Sequence, residues 1–294
     1  MMLSKSTLLH LRFPFSFFLM PVYLFAMCVS PNVTEGNLLW SFIIIHFLLY
    51  PASNGYNSYF DKDEKSIGGL KNPPPVKKDL YYTSIILDIA AILLAIIFVS
   101  KEFAVMLLIY GLASKAYSHP SIRLKKYPIF GWLTVVFFQG IFTFAMSYAG
   151  INKFPLENLL QAKVLFPGSL TSLMLFATYP MTQVYQHEED SKRGDKTMSL
   201  KLGIRGTFLF AMIFFAVATF GFVYFFVTTF SAFYAVVFLI TQSPVVIFFL
   251  FWFASVVRDP RNADHTSTMR LNFLSSLCLN GFFIYLFLNT WHMI

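Results

Sequence analysis

Charged residues and cysteines are both scarce in this chain of 294 residues. Only 12% of the residues are charged and two are cysteines, whereas 57% are hydrophobic. Soluble domains contain about 25% charged and roughly 45–50% apolar residues, so this composition excludes an ordinary soluble domain. It excludes a disordered chain as well. Cys28 and Cys278 each lie inside an apolar block, which excludes a small scaffold held together by disulfides.

The hydrophobic residues form blocks of about twenty, the length that an α-helix needs to cross a bilayer. They predict an all-α polytopic membrane protein, a bundle of nine transmembrane helices that forms a single domain over residues 1–294. The nine predicted spans are Phe13–Val29, Leu38–Asn57, Tyr82–Val99, Phe103–Ser118, Ile129–Ala149, Val164–His187, Phe208–Val227, Phe230–Val257 and Asn272–Trp291. We expect kinks or breaks at Pro14 and Pro21 in the first span, Pro180 in the sixth and Pro244 in the eighth.

The basic residues alternate between the two sides of such a bundle. Of the 22 Lys and Arg residues, 18 fall on one side and only Lys101, Lys153 and Lys163 on the other, while Lys115 lies within the fourth span. Cytoplasmic loops collect positive charge. We therefore predict an integral membrane protein, of a bacterial-type inner membrane, with the N-terminus in the cytoplasm and the C-terminus outside. This topology accounts for the net charge of +8 without a nucleic-acid partner, and none is predicted.

The few acidic residues gather at two places on the predicted cytoplasmic side. The two clusters comprise Asn57, Asp61, Asp63 and Glu64 after the second span, and Gln186, Glu188, Glu189, Asp190 and Asp195 after the sixth. If the helices continue, Asn57 and Asp61 share one face, and so do Gln186 and Asp190, because residues four apart are neighbours on a helix. Two helices would then turn oxygen-rich faces towards a shared space.

Carboxylates clustered beside a region of low dielectric repel one another unless a cation joins them. Oxygen ligands suit Mg²⁺, which commonly binds through one or two carboxylates together with substrate phosphates. The neighbouring Arg123, Lys125, Lys192 and Arg193 supply donors for phosphate oxygens. The two clusters therefore indicate a pyrophosphate site with Mg²⁺. The plainer alternative is that these charges are solvated helix ends and topology signals, as is common in membrane proteins.

The same residues resemble the motifs of the UbiA-type intramembrane prenyltransferases. From Asn57 the chain runs N-S-Y-F-D-K-D, which is similar to the first aspartate-rich motif of that family, N-D-x-x-D-x-x-x-D. From Gln186 it runs Q-x-x-x-D-x-x-x-G-x-x-T, which resembles the second motif, D-x-x-x-D with a trailing Gly and Thr. The stretch from Tyr117 to Lys125 resembles the basic segment after the fourth helix of the family, and Arg12-Phe-Pro-Phe resembles its N-terminal start.

The resemblance implies Mg²⁺-dependent transfer of a polyprenyl group from a prenyl pyrophosphate to an aromatic or cyclic lipophilic acceptor, as in quinone biosynthesis. It places the reaction in a central cavity that opens to the cytoplasmic face, with Asp61 and Asp190 as catalytic residues. The implied metal ligands are Asn57, Asp61, Asp63, Asp190, Glu189 and Asp195. The implied substrate-binding residues are Asn57, Arg123, Lys125, Gln186, Lys192, Tyr117 and Tyr185. Aromatic faces stabilise an allylic cation, and the tyrosines nearest the predicted site are Tyr56, Tyr59, Tyr117 and Tyr185.

Three aspartates of the family motifs are absent, because Ser58, Lys65 and Gln186 stand in their places. Either neighbouring acids rebuild the metal site or its metal affinity is weakened. The second case predicts a divergent, non-catalytic protein that binds isoprenoids or pyrophosphate. A transporter with two acidic ion sites is a third hypothesis. It is disfavoured because the chain has no clear internal repeat and the acids lie at one face.

Overall fold

The structure is a computed structural model that describes residues 3–291, and most of that range is α-helical. The α-helices are α1 Lys5–Leu11, α2 Met20–Cys28, α3 Glu35–Ile43, α4 Tyr50–Asp61, α5 Asp79–Phe98, α6 Lys101–Ser118, α7 Pro128–Val135, α8 Thr143–Asn152, α9 Ala162–Met181, α10 His187–Arg193, α11 Met198–Thr229, α12 Ala232–Arg258 and α13 His265–Thr290. Turns of 3₁₀-helix occupy Phe13–Phe18, Leu124–Lys126, Leu156–Leu160 and Pro260–Asn262, and π-helical segments occupy Ile44–Leu49 and Val136–Phe142. Because no β-strand occurs among residues 3–291, the all-α prediction is confirmed.

The number of membrane-crossing helices is lower than the nine that the sequence predicts. Seven helices are long and apolar enough to cross a membrane, and the bent N-terminal pair Lys5–Phe18 and Met20–Cys28 makes an eighth if it forms one span. Helix α6, the fourth predicted span, is not among them. Its 18 residues include the charged Lys101, Glu102 and Lys115. The structure therefore supports an integral membrane protein with seven or eight spans by length and composition.

Prolines break the first and sixth predicted spans, as expected. Pro14 lies in the first turn of the 3₁₀-helix and Pro21 in the first turn of α2, and the chain bends by 41° between the two helices. Helix α9 ends at Met181, directly after Pro180, and so stops six residues before the predicted end of its span. Residues 187–193 then form the separate helix α10. Gln186 and Asp190 consequently do not belong to the membrane-crossing helix.

The π-helical segment Val136–Phe142 is held in place by a side chain of α9. The hydroxyl of Ser172 donates to the backbone oxygen of Val136 (2.9 Å) and accepts from the backbone N–H of Ile141 (2.9 Å). Gly140 allows this approach, because a Cβ atom there would lie 2.7 Å from the Cα of Ser172. The second π-helical segment, Ile44–Leu49, lies directly before α4. Both segments therefore precede residues of functional interest by a few positions.

Phenylalanine packing forms the apolar core between α2, α11 and α13. Phe25 is fully buried and stacks on Phe283 with ring centroids 4.9 Å apart. It also contacts Phe144 and Phe222, each at 5.3 Å between centroids. Aromatic pairs of this kind contribute about 0.5–1.5 kcal/mol each beyond their buried area. This core leaves the opposite ends of α4, α6 and α9 to surround a cavity.

Candidate active site

A cavity of about 210 Å³ lies among α4, α6, the second π-helical segment, the end of α9 and α10. Nine of the side chains predicted from the sequence as site residues line it: Asn57, Asp61, Asp63, Tyr117, Lys125, Tyr185, Gln186, Asp190 and Asp195. The two sequence clusters, more than 120 positions apart in the chain, therefore meet at one cavity. Arg123 does not line the cavity but contacts two of its aspartates.

The first cluster is carried by the last turn of α4. Asn57 and Asp61 both belong to this helix, one turn apart, and both face the cavity. The amide of Asn57 donates to the hydroxyl of Ser118 at 3.0 Å, which orients the side chain from α6. The helix ends because Lys62 adopts a left-handed backbone conformation with φ of 50°. The turn at Lys62 brings Asp63 back to the cavity.

The second cluster is carried by α10 and the turn that follows it. Asp190 is 6% exposed and accepts a hydrogen bond from the hydroxyl of Thr197 at 3.2 Å. Gly194 ends α10 with φ of +75°, and the next residue, Asp195, returns to bond the backbone oxygen of Asp190 at 2.9 Å. Burial raises the pKa of Asp190 to about 6, against the opposing effect of the nearby positive charge of Arg193.

Three basic side chains are paired with these aspartates. Lys125 forms an ion pair with Asp61, and both side chains are buried. Arg123 binds both carboxylate oxygens of Asp195, at 2.9 and 2.8 Å, and reaches Asp61 at 3.6 Å. Arg193 forms an ion pair with Asp63 from the opposite side of the cavity.

Two predicted site residues lie away from the cavity. Glu189 accepts hydrogen bonds from the backbone N–H groups of Glu64 and Lys65, at 3.2 and 3.1 Å, and so holds the loop after α4. The ammonium group of Lys192 bonds Glu188 at 2.8 Å, and its side chain is 67% exposed. The structure thus does not bring Glu189 and Lys192 together with the other predicted residues.

Aromatic residues cover the inner part of the cavity. The hydroxyls of Tyr117 and Tyr179 hydrogen-bond each other, and the ammonium group of Lys125 lies 6.0 Å from the centre of the Tyr117 ring. Tyr110 and Phe138 also line the cavity. Tyr179, Tyr110 and Phe138 were not identified from the sequence, although Tyr110 stands two helical turns before Tyr117, a spacing that could have indicated it. The other tyrosine candidates, Tyr56 and Tyr59, do not line the cavity; their rings pack on Tyr81.

A second, apolar cavity of about 200 Å³ adjoins the first. The two cavities share Phe15, Gln139, Tyr179 and Thr182. Beyond these residues the second cavity continues between apolar side chains of α2, α9, α11 and α13. An apolar chain attached to a charged group in the first cavity would therefore find a hydrophobic space next to it.

A sequence model of the UbiA prenyltransferase family matches residues 18–277. The chain belongs to this family. As a UbiA protein it is a prenyltransferase and an integral membrane protein. No curated protein matches the chain in sequence.

Several solved structures share this UbiA fold. A UbiA homologue from Archaeoglobus fulgidus bound to GPP and Mg²⁺ superposes with a TM-score of 0.68 at 16% identity, covering 96% of this chain and 99% of that one. The same homologue bound to DMAPP and Mg²⁺ gives 0.66 at 15% identity, with 97% and 99% covered. A structure of digeranylgeranylglyceryl phosphate synthase gives 0.62 at 17% identity, with 96% and 98% covered. At these identities the likeness shows the fold.

The oxygen donors of this UbiA protein fit a divalent cation that is held partly by substrate phosphates. Asp61 and Asp190 lie on opposite elements of one cavity, and Mg²⁺ commonly takes one or two carboxylates together with phosphate oxygens. They do not fit an ion held by the protein alone. Among residues 3–291, no three acidic, histidine or cysteine side chains lie close enough to share an ion.

Proposed function

We propose that this prenyltransferase moves a polyprenyl group from a prenyl pyrophosphate, bound with Mg²⁺, to an aromatic or cyclic lipophilic acceptor such as a quinone precursor. The observation that carries the proposal is the pair of adjoining cavities. The first has aspartates at its mouth with Lys and Arg beside them, and the second is apolar. A charged pyrophosphate and a hydrophobic tail need this combination.

The reaction begins when the allylic C–O bond breaks and its electron pair leaves with the pyrophosphate. Lys125 and Arg123 neutralise the negative charge that grows on the leaving group, an effect that is strong where water is excluded. Asp61, Asp190 and Asn57 hold the Mg²⁺ that is bound to the phosphates, and the ion adds further charge stabilisation. The acceptor then supplies the electron pair of the new C–C bond.

The aromatic residues protect and stabilise the allylic cation. Each aromatic face that is turned towards a cation stabilises it by about 0.5–2 kcal/mol. Tyr117 and Tyr179 lie between the charged cavity and the apolar one, so their rings flank the carbon at which the bond breaks. The prenyl tail occupies the apolar cavity, where each buried CH₂ group contributes about 0.8 kcal/mol.

The distribution of basic residues supports a site on the cytoplasmic side. Lys62, Arg123 and Arg193 all belong to loops or helix ends on the side that holds 18 of the 22 Lys and Arg residues. Under the positive-inside rule this side, with the N-terminus, faces the cytoplasm, and the C-terminus lies outside. We propose this orientation in a bacterial-type inner membrane.

One observation favours a second candidate function, a protein that binds prenyl pyrophosphate without turning it over. Asp61, Asp63 and Asp195 are each paired with a Lys or Arg side chain, which competes with a metal ion for the carboxylate. Binding without release of pyrophosphate would support this alternative.

The test of the proposed function is a prenyl-transfer assay on the purified full-length protein in detergent. Radiolabelled prenyl pyrophosphates of several chain lengths are supplied with Mg²⁺ and a panel of aromatic acceptors, and prenylated product is measured. We expect Asp61→Asn and Asp190→Asn each to abolish turnover. Glu157→Gln, which alters an exposed carboxylate in a loop turn, is the control and should retain full activity. Full activity in both aspartate variants would overturn the assignment.

A further inference from the structure

Arg193 lies between the carboxylates of the two motifs. It is the last residue of α10, and its guanidinium group forms an ion pair with Asp63. The same group lies 3.5 Å from Oδ1 of Asp190 and 3.9 Å from Oδ2 of Asp195, and one of its nitrogens is 3.5 Å from the backbone oxygen of Asp61. Arg193 therefore contacts all four aspartates of the cavity.

This position is the one in which a bridging cation would reduce the repulsion between the two motifs. Carboxylates at the edge of a low-dielectric region repel one another unless positive charge is placed between them. Here the protein supplies that charge itself. The side chain of Arg193 is 24% exposed, and it lines the first cavity, so it is accessible to a ligand there.

The charges around the cavity balance without a metal ion. Four aspartates are matched by four basic side chains: Arg123, Lys125, Arg193 and the buried Arg12, which also lines the cavity. In addition, Ser58 and Gln186 stand where the motifs of the family have aspartates. Fewer carboxylates and more guanidinium groups favour an anionic ligand over a divalent cation.

We propose that Arg193 is a pyrophosphate-binding residue that bridges the two motifs, so that pyrophosphate binds to this protein in the absence of a divalent cation. A guanidinium group presents its N–H donors in a fixed fork that matches two phosphate oxygens at once. Arg193 exchanges part of its contact with Asp190 and Asp195 for the phosphate oxygens, and Asp63 keeps its hold on the other side of the group. The inference rests on the proposed function only in the identity of the ligand.

The experiment measures binding of inorganic pyrophosphate to the full-length protein in detergent by calorimetry, in excess EDTA and in Mg²⁺. For the unaltered protein we expect the affinity in EDTA to be within about tenfold of that in Mg²⁺, a difference of about 1.4 kcal/mol. For Arg193→Met we expect binding in EDTA to weaken by more than about tenfold, with part of the affinity recovered in Mg²⁺.

A second measurement keeps the test informative if Arg193→Met loses stability. Arg193→Gln retains hydrogen-bond donors but no charge, and binding of Mn²⁺ to it is followed by electron paramagnetic resonance. We expect tighter Mn²⁺ binding than in the unaltered protein, because Asp63 and Asp190 lose their counter-charge. A purely structural role for Arg193 does not predict this gain.

Lys192→Met is the matched control. It removes the same charge one residue earlier in α10, from a side chain that contacts Glu188 outside the cavity. Pyrophosphate and Mn²⁺ binding should both stay unchanged. The proposal is wrong if the unaltered protein binds no pyrophosphate in EDTA, or if Arg193→Met binds it as well as the unaltered protein does. Pyrophosphate binding without prenyl transfer would contradict the proposed function alone, and prenyl transfer with strictly metal-dependent binding would contradict this inference alone.

Discussion

Replacement of Lys125 by Met tests whether the ion pair with Asp61 serves the reaction or only the fold. The side chains of Lys125 and Asp61 are 10% and 6% exposed, so the variant leaves a buried carboxylate without its nearest counter-charge. Loss of one partner of a buried pair costs about 3–5 kcal/mol. Because Arg123 remains 3.6 Å from Asp61, we expect a loss of stability at the lower end, about 3 kcal/mol.

The expected effect on turnover is of similar size but has a different origin. Removal of one preorganised donor to a developing negative charge lowers kcat by about 10²–10³. Prenyl-transfer rates and thermal denaturation in detergent are measured for Lys125→Met and for Lys126→Met. Lys126 is the neighbouring lysine, and its side chain is exposed to solvent. Lys126→Met should match the unaltered protein in both measurements.

The double variant Lys125→Met with Asp61→Asn separates the two effects. It removes the unpaired buried charge, so the stability lost in Lys125→Met should largely return, whereas turnover should remain abolished. Near-normal turnover in Lys125→Met would refute the role of Lys125 in neutralising the leaving group. Recovery of turnover in the double variant would show that the pair acts only through the fold.

Two further predictions follow from the site. Burial raises the pKa of Asp190 to about 6, so its contribution to stability is fully present below its unfolded pKa of about 3.9 and is lost as the pH rises through 6; thermal denaturation of Asp190→Asn and the unaltered protein from pH 4 to 8 should show the variant gaining relative stability over that interval, and parallel curves would contradict it. Ser275→Phe fills the apolar cavity beside Phe15 and should lower kcat/KM for long prenyl pyrophosphates more than for short ones, whereas an equal loss for all lengths would show that the tail lies elsewhere.

The part of the site that follows from local chain geometry was predictable from the sequence. Asn57 and Asp61 lie one helical turn apart, so any helix through both turns them to one side, and α4 does so. The grouping of Asp190 and Asp195 with them also emerged from the sequence, through the resemblance to a two-motif family. The family itself is confirmed by the match over residues 18–277.

The part that depends on how separate helices approach one another was not predictable. Glu189 follows Glu188 and precedes Asp190 in the chain, and only the orientation of α10 decides that Asp190 faces the cavity while Glu189 holds the loop after α4. Tyr179 lies in an apolar stretch with many other aromatic residues, and nothing in its neighbours marks it as a site residue. Its role becomes visible only because the break after Pro180 places it opposite Tyr117.

The π-helical segment Ile44–Leu49 has a consequence for any change in the length of the chain. A π-helical turn accommodates one residue more than an α-helical turn, and each residue advances an α-helix by about 100°. Deletion of one residue within this segment would let the helix close into regular α geometry and rotate everything beyond it by that angle. Asn57 and Asp61 would then turn away from Lys125 although no residue of the site had been altered. The rotational phase of α4 is thus set six to twelve residues before the carboxylate that depends on it.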